Sequence, residues 1–133
     1  SITNWSYGIV LRRNNCAVYN CYFGINLDGK TLGGVNNQSV QINYGGSGAL
    51  IGSPDICKRN YFAGELIAVK FDNGGTVQNN YFGTDTSGTI PLGSGTNAMN
   101  IYSGSPVFIG GIDPPIRIAD PEYIFIALVP EHI

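Results

Sequence analysis

Charge and long apolar runs are both scarce in this chain. Only 12% of its 133 residues are charged, about half of the usual share, and the formal net charge is −2. The seven Lys and Arg residues are scattered, so the sequence has no basic stripe to attract a polyanion. The longest apolar stretch, YIFIALVP, is much shorter than the roughly 20 residues of a membrane helix. We therefore predict no nucleic-acid partner and no membrane span.

Cysteine and histidine are also rare, with three residues and one residue respectively. Cys16, Cys21 and Cys57 form an odd set without a CxxC pair, which indicates neither a disulfide framework nor a zinc site. We expect inert thiols, with a Cys16–Cys21 disulfide as the alternative, and a solvated His132. No i, i+3, i+4, i+7 apolar stripe occurs within residues 1–111, so we predict very little helix.

Glycine, by contrast, is abundant at 19 residues, and short apolar alternations recur about every thirty residues. The alternations VL, VQI, VKF and MNI begin at Val10, Val40, Val69 and Met99. Such short strands cannot form a sheet within one repeat, but repeats stacked about 4.8 Å apart pair each strand with its equivalents above and below. The sequence therefore predicts an all-β fold, a parallel β-solenoid. We place the main strands near residues 9–12, 39–43, 67–71 and 98–102.

An aromatic pair followed by a small residue recurs as CYFG, NYFA and NYFG. Strand alternation places the phenylalanines inside, at Phe23, Phe62 and Phe82, and the tyrosines outside, at Tyr22, Tyr61 and Tyr81. We expect Asn60 and Asn80 to form a hydrogen-bonded row at a bend, with Cys21 in the same register as Asn80 and Cys57 in that of Val77. The pairs Phe23-Gly24, Ile51-Gly52, Phe82-Gly83 and Ile109-Gly110 are interpreted as equivalent corners.

Residues 79–111, NNYFGTDTSGTIPLGSGTNAMNIYSGSPVFIGG, resemble the repeat of right-handed parallel β-helix proteins, the pectate-lyase-like superfamily in the broad sense. The Tyr81–Asp85 turn, the strand 99–101 and the corner 109–111 follow in the family's order. The resemblance implies a right-handed parallel β-helix of about four to five coils, built from residues 1–111. It implies no single function, because the family includes polysaccharide lyases and hydrolases, phage tail spikes, adhesins and other surface proteins.

Both ends of the chain depart from a closed repeat. Residues 112–133 contain four prolines and neither asparagine nor glycine. We expect a cap over the last coil, a strand that pairs with another subunit, or sequence foreign to the repeat; the resemblance to tail spikes implies a homotrimer. Residues 1–9 look like the middle of a coil, so we expect a piece of a longer solenoid.

Asp28 and Asp85 are the candidate catalytic acids, because each lies in the turn after a Phe-Gly corner. Glycoside hydrolysis needs two carboxyl groups about 5 to 9.5 Å apart. The repeat spacing predicts about 10 Å between these two, with another coil between them. The alternative is that both are Asx-turn residues before Gly29 and Gly88. The loops INLDG and TDTSG resemble half of a calcium loop without a closing acid, so we predict no cofactor or metal, with calcium as the alternative.

Tyr22, Tyr61 and Tyr81 are the candidate carbohydrate-binding residues, since a column of outward rings can stack on sugar faces. Ordinary surface packing of tyrosine on a sheet is the alternative. We predict a secreted structural or recognition module of a larger extracellular or virion-surface protein, in contact with polysaccharide. The alternative is a fragment of a carbohydrate-active enzyme, a polysaccharide lyase or glycoside hydrolase. The absence of an assignable acid pair favours the first hypothesis.

Overall fold

The structure, a computed structural model, describes residues 1–92, 97–101, 107–109, 117–118 and 126–128. Within these ranges the chain forms thirteen β-strands and one short 3-10 helix, without any α-helix. The predicted all-β class is therefore confirmed for the described part of the chain.

The strands form three parallel sheets. Sheet 1 contains β1 (Tyr7–Leu11), β4 (Gln38–Ile42), β7 (Ile67–Phe71), β10 (Asn97–Ile101) and β13 (Ile126–Leu128). Sheet 2 contains β2 (Ala17–Val18), β5 (Ala49–Ile51), β8 (Gly75–Val77) and β11 (Val107–Ile109). Sheet 3 contains β3 (Tyr22–Phe23), β6 (Tyr61–Phe62), β9 (Tyr81–Phe82) and β12 (Arg117–Ile118).

Successive strands visit the three sheets in turn, and every pairing within a sheet is parallel. We call each set of three strands a coil: coil 1 is β1 to β3, coil 2 is β4 to β6, coil 3 is β7 to β9 and coil 4 is β10 to β12. Neighbouring coils meet strand on strand, which satisfies the backbone groups that a short isolated strand would leave unpaired. The described chain is thus a parallel β-solenoid.

The predicted main strands lie within two residues of the strands of sheet 1. One detail of the register in coil 1 is wrong: Ile9, rather than Val10, pairs with Val40, while Val10 pairs with Gln41. The reason is strand alternation, because Val40 points into a fully buried row and Gln41 points away from it.

A column of phenylalanine rings fills the core beneath sheet 3. Phe23, Phe62 and Phe82 are fully buried. Their ring centroids stand 4.7 and 5.0 Å apart, with nearly parallel planes. The column follows directly from the strand register, since equivalent residues of stacked coils lie one above another. The predicted interior position of the three phenylalanines is confirmed.

A row of buried amides runs beside this column at the bend before sheet 3. Asn60 Oδ1 accepts a hydrogen bond from the Cys21 N–H at 3.0 Å, and Asn80 Oδ1 accepts one from the Asn60 N–H at 3.1 Å. The Nδ2 groups of Asn60 and Asn80 donate to backbone carbonyls of sheet 2 at 2.7 and 2.8 Å. The predicted row is confirmed, including the register of Cys21.

The corners predicted as equivalent belong to two different sheets. Ile51 pairs with Val77 in sheet 2, whereas the Phe-Gly corners follow sheet 3. Phe62 follows Ile51 by eleven positions, while Phe82 follows Val77 by five. Coil 2 therefore carries six additional residues, 53–58, which we call the insert loop.

Cys57 lies in this insert loop, within the 3-10 helix Ile56–Lys58, and is exposed. Its predicted register with Val77 is wrong, because Ile51 occupies that place and the inserted residues leave the ladder. Cys16 and Cys21 are half-buried free thiols, so the alternative of a disulfide between them is not realised.

The strand ladders continue into the segment 112–133. β12 pairs with β9, and β13 pairs with β10. The remainder of this segment, including His132, lies outside the described residues, as does the predicted Ile109–Gly110 corner beyond Ile109.

Candidate functional site

The outward face of sheet 3 carries three tyrosines in register, which we call the tyrosine column: Tyr22, Tyr61 and Tyr81. They point outward because each precedes an inward phenylalanine on the same strand. Neighbouring rings stand 5.3 and 5.6 Å apart at 89° and 85°, so they pack edge to face. Edge-to-face packing is a favourable arrangement of aromatic rings, and it turns successive ring faces in different directions.

Exposure changes along the tyrosine column. Tyr22 and Tyr61 are half-buried, whereas Tyr81 is only 8% exposed. Gly88 lies against the Tyr81 ring, with φ of +76°, and a Cβ on Gly88 would stand 2.4 Å from that ring. The backbone of the turn thus covers Tyr81, and only Tyr22 and Tyr61 offer ring surface to a ligand. Burial raises the pKa of the Tyr61 phenol, so at neutral pH its hydroxyl remains a hydrogen-bond donor.

Two loops border the tyrosine column on the side where the strands of sheet 3 finish. Loop 25–32 follows coil 1 and loop 84–91 follows coil 3, and each is closed by an antiparallel bridge between its first and last residues. Coil 2 has no such loop, since only residues 63–66 join β6 to β7. The two loops therefore meet directly: the N–H and the hydroxyl of Thr86 donate to the Gly29 carbonyl at 2.9 and 3.1 Å.

The turns that contain Asp28 and Asp85 consequently touch, rather than being separated by coil 2 as the repeat spacing predicts. Asp28 accepts hydrogen bonds from the Lys30 N–H at 2.8 Å and from the Thr31 hydroxyl at 2.7 Å. Asp85 accepts from both the hydroxyl and the N–H of Ser87. Each carboxylate therefore acts as the Asx-turn residue of its own loop, the alternative that the sequence offers.

These hydrogen bonds also set the acidity of the two groups. The Lys30 N–H, followed by the Thr31 hydroxyl, lowers the pKa of Asp28 below its ordinary value. The Ser87 hydroxyl does the same for Asp85. A lowered pKa keeps both groups ionised, which is unsuited to the general acid of glycoside hydrolysis. Within the described ranges, no three His, Cys, Asp or Glu side chains stand close enough to hold a metal ion.

Two cations border the tyrosine column on the opposite side, where the strands of sheet 3 begin. Lys58 ends the insert loop and its ammonium lies 5.1 Å from the centre of the Tyr19 ring. Arg59 follows, with its guanidinium carbon 3.9 Å from the centre of the Tyr81 ring. Arg59 Nε also donates to the Asn79 carbonyl at 2.9 Å. These contacts are favourable cation–π interactions and they fix the insert loop beside the tyrosines.

Sequence reasoning missed the role of Lys58 and Arg59, although a signal is present. The dipeptide KR directly precedes NYF in coil 2, where the equivalent residues of coils 1 and 3 are neutral. The importance of this dipeptide becomes clear only when the six-residue insertion is located. Locating the insertion requires knowing which strands share a sheet.

Glu65 is a further residue that the sequence reasoning did not single out. It lies in the short corner of coil 2 and is fully buried. Neither carboxyl oxygen has a hydrogen-bond partner among the described residues, and burial raises the pKa of Glu65 well above its ordinary value. Because no substrate can reach a fully buried carboxyl, Glu65 does not form an accessible acid pair with Asp28 or Asp85.

Comparison of the chain with protein-family models, with curated proteins and with solved structures found no match. The parallel β-solenoid architecture therefore follows from strand pairing alone, and the likeness of residues 79–111 to pectate-lyase-like repeats stays at the level of sequence pattern. Among the described residues, no helix is long and apolar enough to cross a membrane.

Proposed function

We propose that the chain is a right-handed parallel β-helix module of a larger extracellular or virion-surface protein, and that the Tyr22 and Tyr61 part of the tyrosine column contacts a glycan. The right-handed sense is supported by the strong preference of parallel crossover connections for that hand. The module provides a stiff column, and its loops and outward side chains provide the contacts.

The observation that carries the proposal is the position of the two half-buried tyrosines between loops. The paired loops 25–32 and 84–91 border them on one side, and the insert loop borders them on the other side. Tyrosine combines an apolar ring with a polar hydroxyl, which suits the faces and hydroxyl groups of sugars. The accessible side chains of the tyrosine column are aromatic rings, which fit a glycan better than a compact ionic ligand.

The test is binding of the intact chain to a panel of soluble polysaccharides, measured by isothermal titration calorimetry and by chemical-shift changes of the Tyr61 amide. Tyr61→Ala is expected to reduce affinity at least tenfold, because it removes ring contact at the centre of the site. Tyr44→Ala is the matched control, since Tyr44 is 71% exposed and lies after β4, away from sheet 3. It is expected to bind as the unchanged chain does.

Equal losses in the two variants would contradict the proposed site, and binding of no member of the panel would contradict glycan contact. The alternative hypothesis, a polysaccharide lyase or hydrolase, is examined in the same samples by measuring new reducing ends and unsaturated products. Their formation, abolished by Asp28→Asn or Asp85→Asn, would replace the proposed function by an enzymatic one.

A further inference from the structure

The short corner of coil 2 places an acid at a position where the neighbouring coil has an amide. Asn36 precedes β4 by two residues and Glu65 precedes β7 by two residues, and β4 and β7 pair with Gln38 opposite Ile67. The Leu66 N–H donates to the Asn36 carbonyl at 3.1 Å, which continues the same ladder. Asn36 and Glu65 are therefore equivalent positions of adjacent coils, and both are fully buried.

The amide of Asn36 is hydrogen-bonded at this position, whereas neither carboxyl oxygen of Glu65 has a partner among the described residues. Asn36 Oδ1 accepts a hydrogen bond from the Trp5 N–H at 2.9 Å. Its Nδ2 donates to the Ile2 carbonyl at 2.9 Å and contacts the Ser39 hydroxyl at 3.3 Å. The position thus uses a group that accepts and donates at once. A protonated carboxylic acid can do both, whereas an ionised carboxylate can only accept.

The surroundings of Glu65 offer little to a negative charge. The Ser39 hydroxyl and the backbone N–H groups of Ala63 and Glu65 lie close enough to lower its pKa, but none meets the geometry of a hydrogen bond to either oxygen. Burying an ionised carboxylate without a partner is strongly unfavourable, so such a group keeps its proton.

Among the residues that the structure describes, no charged side chain on the surrounding elements compensates Glu65. Loop 25–32 carries Asp28 and Lys30, which are exposed, and loop 84–91 carries Asp85, whose carboxylate is bound by Ser87. On β7, Lys70 forms an ion pair with Asp72 at 3.7 Å. None of these groups hydrogen-bonds to Glu65.

Glu65 also lies directly beneath loop 25–32. Its Oε2 stands 3.4 Å from where a Cβ on Gly24 would lie, and Gly24 is the residue before the loop. At the other end of the loop, Leu32 Cδ2 stands 3.1 Å from where a Cβ on Gly64 would lie. The corner that contains Glu65 thus packs against both ends of loop 25–32.

We propose that this corner stays closed only while Glu65 is a neutral carboxylic acid, and that its ionisation opens the corner and releases loop 25–32. The device is independent of glycan binding, since it requires only the buried carboxyl and the loop above it. Opening the corner would let water reach the carboxylate, and would loosen the loop that borders the tyrosine column.

The sign of the pH dependence follows from proton linkage. Glutamate in an unfolded chain titrates near pH 4.3, and the folded value is raised. Between these two values the folded chain holds one more proton than the unfolded chain, so stability is fully present below the unfolded value and falls as pH rises. The loss is about tenfold in the folding equilibrium constant per pH unit for one proton.

Other acids act in a different range. The pKa values of Asp28 and Asp85 lie below the ordinary 3.8, so the stability that these two groups contribute to the fold is lost only as the pH falls through that acidic region. Burial also raises the pKa of the Cys21 thiol above the ordinary 9.0, so that group lowers stability only as the pH approaches 9.0 and above. A decline of stability between pH 5 and pH 8 is therefore attributable to Glu65.

The experiment compares urea unfolding of the full chain, Glu65→Gln and Asp72→Asn from pH 5 to pH 8, below the range in which the Cys21 thiol affects stability. The unchanged chain is expected to lose stability with rising pH, and Glu65→Gln is expected to be nearly independent of pH because glutamine stays neutral. Asp72 is 9% exposed and accepts a hydrogen bond from Gln41 at 3.0 Å, so Asp72→Asn is a control for removing a buried acid and should keep the slope of the unchanged chain.

Hydrogen exchange locates the opening. The Gly33 N–H donates to the Gly24 carbonyl at 2.7 Å, and the Leu92 N–H makes the equivalent bond to Gly83 at 2.7 Å in the other loop. After correction for the intrinsic rate, Gly33 exchange is expected to accelerate at least tenfold from pH 6 to pH 9, more than Leu92 exchange. This difference should vanish in Glu65→Gln.

Infrared spectroscopy of the unchanged chain keeps the inference testable if Glu65→Gln does not fold. A protonated carboxyl band at pH 6 that disappears at higher pH supports it. Absence of that band, equal pH slopes for the unchanged chain and Glu65→Gln, or equal acceleration at Gly33 and Leu92 would overturn it.

Discussion

At the residue scale, buried asparagines satisfy backbone and side-chain hydrogen-bonding groups of the neighbouring coils. Asn80 is fully buried, and its amide serves the Asn60 N–H, the Asn60 side chain and the Ile51 carbonyl. Asn60 and Ile51 are themselves fully buried, so the amide satisfies groups that would otherwise be buried without a hydrogen bond.

We expect Asn80→Ala to lower the free energy of unfolding by about 3 kcal/mol, because it leaves these buried groups unsatisfied. The measurement is urea denaturation followed by far-UV circular dichroism. Asn37→Ala is the control: Asn37 is exposed, and its change should stay within about 0.5 kcal/mol. Similar losses in both variants would show that the amide row does not stabilise the fold.

Single residues also mark the limit of sequence reasoning. The phenylalanine column and the Asn60–Asn80 row are predictable, because a repeat places like residues on like positions. Glu65 is not, since an isolated acid after a glycine looks like a surface residue. Its burial results from the short corner of coil 2, where Glu65 lies against Gly24 and Gly64 lies against Leu32.

At the scale of elements, the insert loop interrupts a regular bend. Coils 1 and 3 turn from sheet 2 into sheet 3 with Asn20 and Asn79 in the left-handed conformation, at φ of 56° and 61°. Asparagine tolerates this conformation better than most residues. Coil 2 uses Gly52 at φ of +81° and then adds the six residues 53–58.

We therefore expect coil 2 to accept the bend of coil 3. Replacing residues 52–59 with Gln-Asn should preserve the circular dichroism spectrum and cooperative unfolding, at a cost of about 2 kcal/mol from the lost Arg59 contacts. Replacement with Gln-Val is the matched control, since a β-branched residue resists positive φ, and it should be clearly less stable. Equal stability of the two replacements would contradict this account of the bend.

The two long loops show why an element's position along the chain does not determine its neighbours. The sequence predicts that coil 2 separates the turns of Asp28 and Asp85. Coil 2 is short at that corner, so Thr86 reaches Gly29 directly. The length of the segment at a corner can be assigned only when the strands that pair in each sheet are known. Strand pairing is a property of the fold.

At the scale of the whole molecule, we expect the free energy of unfolding to depend mainly on contacts between adjacent coils. Each coil pairs with the coils above and below it, so the energy of a solenoid is approximately a sum of coil terms and interface terms. The phenylalanine column makes this measurable, because Phe62 contacts both Phe23 and Phe82.

Double-mutant cycles with Phe→Leu substitutions test this expectation. Phe23 and Phe62 should couple by about 0.5 to 1.5 kcal/mol, since their rings stack in the core. Phe23 and Phe82 should couple by less than about 0.3 kcal/mol, because Phe62 separates them. The cycles use free energies of unfolding from urea titrations, and equal coupling of both pairs would indicate a core that responds as one unit.

The amino-acid sequence by itself determined the repeat, the parallel stacking and the inward and outward alternation of the aromatic pairs, because periodicity two along a strand and a thirty-residue repeat are properties of order along the chain. Tertiary structure alone decided that loops 25–32 and 84–91 touch, that Tyr81 is covered and that Glu65 is buried. The loop contact and the burial of Glu65 depend on unequal corner lengths in adjacent coils, and the covering of Tyr81 depends on how loop 84–91 folds back over its own strand. Such distances arise only when the chain folds and the coils stack.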